Sequence, residues 1–169
     1  VPRKSAGILL YRFDAGELEV FLVHPGGPFW ARKDLGAWSI PKGEYGDSEE
    51  PLEAARREFQ EETGFALEGP FLPLTPCRQP GGKRVSAWAV EGDCDPAALR
   101  SNVFTIEWPR GSGSKRQFPE VDRADWFAIP DARRKLLKGQ VPFLDELQER
   151  LGIEPDSPST PWRGPRRPW

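Results

Sequence analysis

One segment narrows what this chain can fold into more than any other: Gly43 to Phe65, GEYGDSEEPLEAARREFQEETGF. Pro51 suits the first position of a helix, where the missing N–H costs nothing, and Gly64 suits the left-handed residue that ends one. The segment therefore predicts a helix over 51–63. At about 100° per residue, Glu61 falls about 60° to one side of Glu58 and Glu62 about 40° to the other, so the three share a face. Leu52, Ala55 and Phe59 project roughly a quarter turn away. Such a helix can bury one side on a sheet while its acids point along the edge of that contact, into a cleft. Neighbouring carboxylates repel, by roughly a few tenths of a kcal/mol per pair on an exposed helix and by more where partly buried. A hard divalent cation such as Mg²⁺, which takes oxygen ligands, would relieve that repulsion. Helix geometry taken alone is equally served by a solvated acidic face with Arg56 and Arg57 as local partners.

The rest of the chain alternates strands and helices. AGILLYRFDAGELEVFLVHP predicts two apolar strands, about 6–13 and 18–23, joined by a turn at Asp14-Ala15-Gly16-Glu17. A loop rich in Gly, Pro and basic residues follows (PGGPFWARKDLG), then a short strand, AWSIP, that leads into the acidic stretch. KRVSAWAVEGD, NVFTIEWP and ADWFAI predict further strands, with RQFPEVDRADW expected to begin as a loop. DARRKLL and VPFLDELQERLG predict helices, the second with Phe143, Leu144, Leu147 and Leu151 on one face. This order predicts an α/β layered domain. We expect one domain over 1–153 and a Pro-rich tail over 154–169 whose Trp162 and Trp169 have no assigned partner.

Composition excludes several classes. The 24 basic and 26 acidic residues nearly cancel, which argues against a macromolecular nucleic-acid binder. With two cysteines and one histidine, and no Cys/His cluster, a zinc site is not expected. The same two cysteines, Cys77 and Cys94, are expected as free thiols in a cytoplasmic protein. No apolar run reaches membrane-spanning length, so no membrane association is expected.

The spacing within the acidic segment carries more. Gly43, five residues, Glu49, seven residues, then Arg57-Glu58-Phe59-Gln60-Glu61-Glu62-Thr63-Gly64-Phe65 resembles the Nudix box, and all nine specified positions match. More loosely, the resemblance to the Nudix hydrolase family extends from about Ala6 to Leu151. It implies a Nudix-like α/β/α sandwich around a mixed β-sheet, and hydrolysis of a nucleoside diphosphate linked to another group with Mg²⁺ or Mn²⁺. It further implies that Glu58, Glu61 and Glu62 bind metal, that Gly43 lends its backbone carbonyl, and that Arg57 holds a box glutamate in position. Glu58 or its neighbours would orient the attacking water, and Glu49 would brace the loop against the helix. A further acid outside the box is common in the family as base or extra ligand; Glu120 takes that place here, ahead of Asp122. A pyrophosphate bridge repels both water and carboxylates, so an acidic cleft becomes hospitable to it only through metal ions.

Lys42 directly precedes the box glycine, in a Pro-Lys-Gly similar to that of family members acting on dinucleoside polyphosphates and diphosphoinositols. It is expected to reach a substrate phosphate as a point charge. Arg32 and Lys83, with Lys33, Arg78, Lys115 and Arg116, lie in expected loops and could add phosphate contacts. Trp30 could stack a base, whereas Trp38 and Trp88 are expected in the core. His24 is expected to position its loop rather than to act in catalysis.

Substrate indications diverge. Pro80 stands where a proline often occurs in ADP-ribose pyrophosphatases, while the tyrosine common in diadenosine tetraphosphate hydrolases is missing, the only tyrosines being Tyr11 and Tyr45. A dinucleoside polyphosphate is placed slightly ahead of a nucleoside triphosphate. The oligomeric state, monomer or homodimer, is open. Two rivals keep the fold: a catalytically silent nucleotide sensor, which would be expected to lose box acids that this chain keeps, and a metal-dependent isomerase, for which Cys77 would have to serve while the intact box argues against it.

Overall fold

The computed structural model describes residues 3–154, so all but the first residue of the expected tail lies outside it. Strands β1 (Lys4–Asp14) and β2 (Glu17–Pro25) form a hairpin whose register closes at Asp14 opposite Glu17. Ala15 and Gly16 between them both have positive φ, 51° and 81°, the two-residue turn that matches strand twist. Strand β3 (Lys42–Glu44) and helix α1 (Pro51–Thr63) follow. Then come β4 (Leu72–Pro73), β5 (Cys77–Arg78), β6 (Arg84–Glu91), β7 (Val103–Glu107), β8 (Lys115–Pro119) and β9 (Val121–Ala128). Helices α2 (Ile129–Lys135) and α3 (Val141–Arg150) end the described chain.

Seven strands make one mixed sheet, in the order β4-β6-β1-β2-β9, with β3 paired to β1 and β5 to β6. The β1–β6 pair is parallel and the other pairs are antiparallel. β7 and β8 pair only with each other.

Strand alternation sorts the core onto two faces. Ala6, Ile8 and Leu10 of β1, with Phe21 and Val23 of β2, point to Ala54, Ala55 and Phe59 of α1. Leu9, Leu18, Val20 and Leu22 point the other way, to Ala132 of α2 and Phe143, Leu144 and Leu147 of α3. The result is the expected α/β/α sandwich. Each fully buried Phe or Leu contributes roughly 1.5–3 kcal/mol, so both helical layers are held chiefly by apolar burial.

One irregularity makes room for the site. β2 follows β1 only over Tyr11–Asp14; along Ser5–Gly7 that edge of β1 is taken by β3 instead. Lys42 and Gly43 are thereby set into the sheet beneath α1. Gly7 allows it, because a Cβ there would lie 2.7 Å from both Lys42 Cβ and the Pro41 carbonyl oxygen.

Two sequence expectations are corrected. AWSIP is not a strand: Trp38 and Ser39 form single bridges to Leu136 and Val23 on different neighbours, so the chain turns a corner there. Arg78 lies in the short strand β5, and Lys115 and Arg116 in a longer one, β8, rather than in loops. That strand alternates poorly because its faces are almost wholly exposed, and the hairpin partner, not a buried face, sets its conformation. Trp38 is in the core as expected, while Trp88 is half-buried against it.

Candidate active site

α1 begins and ends where its sequence dictates. Pro51 opens it, and Gly64, at φ 82°, closes it with an N–H bond to the Gln60 carbonyl. Its apolar stripe fixes the rotation on the sheet, and that rotation turns the next residues round the helix toward β3. Glu58 is buried there. A Cβ on Gly43 would lie 2.0 Å from the Glu58 carboxyl carbon. The box glycine is thus a steric requirement: any side chain would evict the carboxylate.

Arg57 organises the acids around it. Its Nε and Nη2 donate to the two Glu49 carboxylate oxygens at 2.8 and 2.9 Å, and its Nη1 donates to Glu58 at 2.8 Å and Glu61 at 3.1 Å. A planar guanidinium with fixed donors suits this fork, and lysine would not. Glu49 spends both oxygens on the brace. Glu62 accepts from the Lys42 backbone N–H at 3.1 Å, which ties the helix to β3.

Glu120 reaches the same place from across the fold. It stands between β8 and β9, and backbone bonds tie it both to the loop after β2 and, through Asn102, to α1. The Gly26 N–H donates to the Glu120 carbonyl at 2.9 Å, the Glu120 N–H to the Asn102 carbonyl at 2.8 Å, and the Asn102 N–H to the Glu61 carbonyl at 2.8 Å. Gly26 permits this closeness, since a Cβ there would lie within bonding distance of the Pro119 carbonyl oxygen.

The electrostatics follow from the convergence. Burial, with the nearby charges of Glu58 and Glu120, pushes the Glu62 carboxyl up to about 8. Burial also raises Glu58, against the pull of Arg57, and burial with the charge of Glu61 raises Glu120. Each carboxylate is destabilised in its charged form by burial and by its neighbours. Among the described residues, no three His, Cys, Asp or Glu side chains form a ready-made metal cage.

Cations border the acids. Lys42 is half-buried at the foot of α1, and burial together with the charge of Lys83 lowers its ammonium below the ordinary lysine value. Lys83 also pairs with Glu44 at 3.4 Å. Thus Lys42 and Lys83, 41 positions apart in sequence, are brought together. Arg32 lies exposed in the loop after β2, with no side-chain hydrogen bond or ion pair among the described residues. His24 is fully buried, with Nδ1 2.8 Å from Asp122 Oδ1 and Nε2 2.6 Å from the Lys33 carbonyl oxygen, and holds the loop as expected. Asp122 is engaged by His24 and lies beside Arg123. Sequence reading missed the role of Gly26, whose only signal was a Gly-Gly pair in an irregular loop.

A family model, the NUDIX domain, matches residues 1–151. The chain belongs to the Nudix hydrolase family. It is 36% identical over 67 residues to an RNA pyrophosphohydrolase of Bartonella henselae; the match covers 37% of this chain and 36% of that protein, so only about a third of the relative's length is spanned. Among solved structures, a C. elegans Ap4A hydrolase in a binary complex superposes with a TM-score of 0.62 at 21% identity, covering 89% of this chain and 98% of that one. The Nudix domain of Shewanella oneidensis NrtR, complexed with ADP ribose, superposes with a TM-score of 0.63 at 16% identity, covering 89% of each. At these identities the likeness is one of fold. No helix among the described residues is long and apolar enough to cross a membrane.

Proposed function

We propose that this Nudix protein is a divalent-metal-dependent pyrophosphohydrolase that cleaves a nucleoside diphosphate linked to another group. The observation that carries the proposal is the meeting of Glu58, Glu61, Glu62 and Glu120, from two distant parts of the chain, in a partly buried place where three of the four are raised by burial and mutual charge. Such an arrangement works against folding unless a cation answers it. The donors are all oxygens, which fits Mg²⁺ or Mn²⁺ and not a thiophilic metal. Glu58, Glu61, Glu62 and Glu120, with the Gly43 carbonyl, are the residues that would hold it. When bound, the cation neutralises the pyrophosphate and makes water a better nucleophile.

The chain's own residues do the rest. Arg57 keeps Glu58 and Glu61 in fixed rotamers, with Glu49 locking the guanidinium from behind. Glu120, raised above the ordinary carboxylate value by burial and by Glu61, is the more basic for it and suited to accept a proton from water. Lys42 and Lys83 supply positive charge for substrate phosphates.

The fold likeness to an Ap4A hydrolase is in keeping with a dinucleoside polyphosphate as substrate, placed slightly ahead of a nucleoside triphosphate. The match to an RNA pyrophosphohydrolase is in keeping with the same bond chemistry. Two free thiols, Cys77 and Cys94, favour the cytoplasm as its compartment. The deciding experiment is a nucleotide panel with Mg²⁺ or Mn²⁺ and products identified by mass. Turnover giving a nucleoside monophosphate or diphosphate is expected; nucleotide binding without turnover across the panel would make the protein a sensor instead.

A further inference from the structure

Glu120 is the single residue between two strands that pair with different partners, β8 with β7 and β9 with β2. No strand ladder runs through it, so its direction depends on what holds the peptide groups on either side. Its own N–H donates to the Asn102 carbonyl, and its carbonyl accepts from the Gly26 N–H. The peptide group carrying that carbonyl ends in the Val121 N–H, which donates to Ser101 Oγ at 2.9 Å. The same hydroxyl donates at 2.8 Å to the Asn102 carbonyl, which also receives the Glu120 N–H. Ser101 thus joins the two peptide groups that flank Glu120. Peptide groups are planar, so holding both sets φ and ψ of the residue between them, and with them the direction of its Cα–Cβ bond. The other bonds of this clamp run from backbone to backbone. Ser101 supplies its side chain.

We propose that Ser101 is the positioning residue for Glu120, its hydroxyl keeping that carboxylate turned to the acids of α1. The proposal rests on the pyrophosphohydrolase reading above, which gives Glu120 its part in the site, and adds what aims it. Three observations favour this over a general contribution to stability. First, the charge of Glu120 is felt at both Glu58 and Glu62, so the carboxylate faces the cluster. Second, that carboxylate has no hydrogen bond or ion pair of its own among the described residues, so only its backbone directs it. Third, Ser101 lies between two bonds to the end of α1. The Arg100 N–H donates to the Thr63 carbonyl at 2.9 Å and the Asn102 N–H to the Glu61 carbonyl at 2.8 Å. Carbonyls in the last turn of a helix lack partners within it, and this segment answers two of them. The hydroxyl therefore refers Glu120 to the same turn that carries Glu61 and Glu62. Val121 is held separately, by burial in the core against α1. Removing the hydroxyl would thus free Glu120 before it freed the strand.

The test has two readouts on the full chain: binding of Mn²⁺ alone, followed by electron paramagnetic resonance, and kcat and KM on the best nucleotide of the panel. The variants are Ser101→Ala, Ser101→Thr, Glu120→Gln and the double variant Ser101→Ala with Glu120→Gln. In Ser101→Ala, Mn²⁺ affinity and kcat are each expected to fall roughly tenfold, with KM unchanged. Ser101→Thr keeps the hydroxyl and is expected to match the wild type. Once Glu120→Gln has removed the charge to be aimed, adding Ser101→Ala is expected to cost nothing further. Wild-type Mn²⁺ affinity and kcat in Ser101→Ala overturn the proposal. So does a further loss in the double variant, or a Ser101→Thr variant as impaired as Ser101→Ala, since either makes the hydroxyl a matter of folding alone. Mn²⁺ binding that depends on Ser101 only through Glu120, with no nucleotide turned over, upholds the positioning role and overturns the hydrolase reading alone. A wild type that neither binds Mn²⁺ nor turns over a nucleotide overturns both.

Discussion

The two helical layers of the sandwich solve opposite problems. α3 lies on one face of the sheet with Phe143, Leu144 and Leu147 fully buried, and its charged residues are turned outward or paired at the rim. α1 lies on the other face and buries Ala54, Ala55 and Phe59, but also Glu58. It keeps Glu61 and Glu62 half-buried beside it, against Arg57 and the Lys42 backbone. One helix spends its buried face on cohesion. The other surrenders part of that cohesion to hold repelling charges near one another, which is what a helix does when its geometry serves chemistry.

The sharpest way to break this comparison is at the charges. Glu62→Gln or Glu61→Gln is expected to cut turnover at least about a hundredfold while leaving the circular dichroism spectrum unchanged, since each removes a charge and little volume. Retained activity in both variants would place the chemistry elsewhere. On the opposite face, Phe143→Ala is expected to cost about 3–5 kcal/mol in urea unfolding, with turnover per folded molecule kept. Gly43→Ala tests the seam between helix and sheet. Its methyl group would meet the Glu58 carboxylate, so about 1–3 kcal/mol of stability is expected to go, together with much of the activity.

The smallest effect is a pH dependence. The folded-state value of Glu62 is raised, to about 8, so its contribution is fully present below the ordinary carboxylate value and is lost as pH rises through about 8. Without divalent cations, the melting temperature is expected to fall between pH 5 and pH 8.5, and less so in Glu62→Gln. Mg²⁺ is expected to raise the melting temperature by a few degrees at pH 8.5 and by less at pH 5. Equal Mg²⁺ stabilisation at both values would show that the cation does not answer the raised carboxyl.

How far the sequence could be read depended on how local the cause was. Pro51, Gly64 and the periodic apolar residues between them set the ends and the buried side of α1 without outside help. The β1–β2 hairpin was equally legible, because its turn residues sit between two alternating runs. AWSIP misled because Trp38 and Ile40 are core residues on a corner, where apolar content comes from burial and not from strand pairing. RQFPE misled in the opposite sense, because β8 draws its order from β7 and buries almost nothing.

The sequence by itself determined the family, the acidic helix and the box residues, since each of those rests on spacing along one continuous segment. Only the tertiary structure decided that Glu120 lies with Glu61, that Lys83 joins Lys42, and that Phe29 meets Trp108. Those meetings depend on where β3 displaces β2 and on backbone bonds between segments far apart in the chain. No periodicity encodes them, because the forces that make them act only after the sheet and its two helical layers have come together.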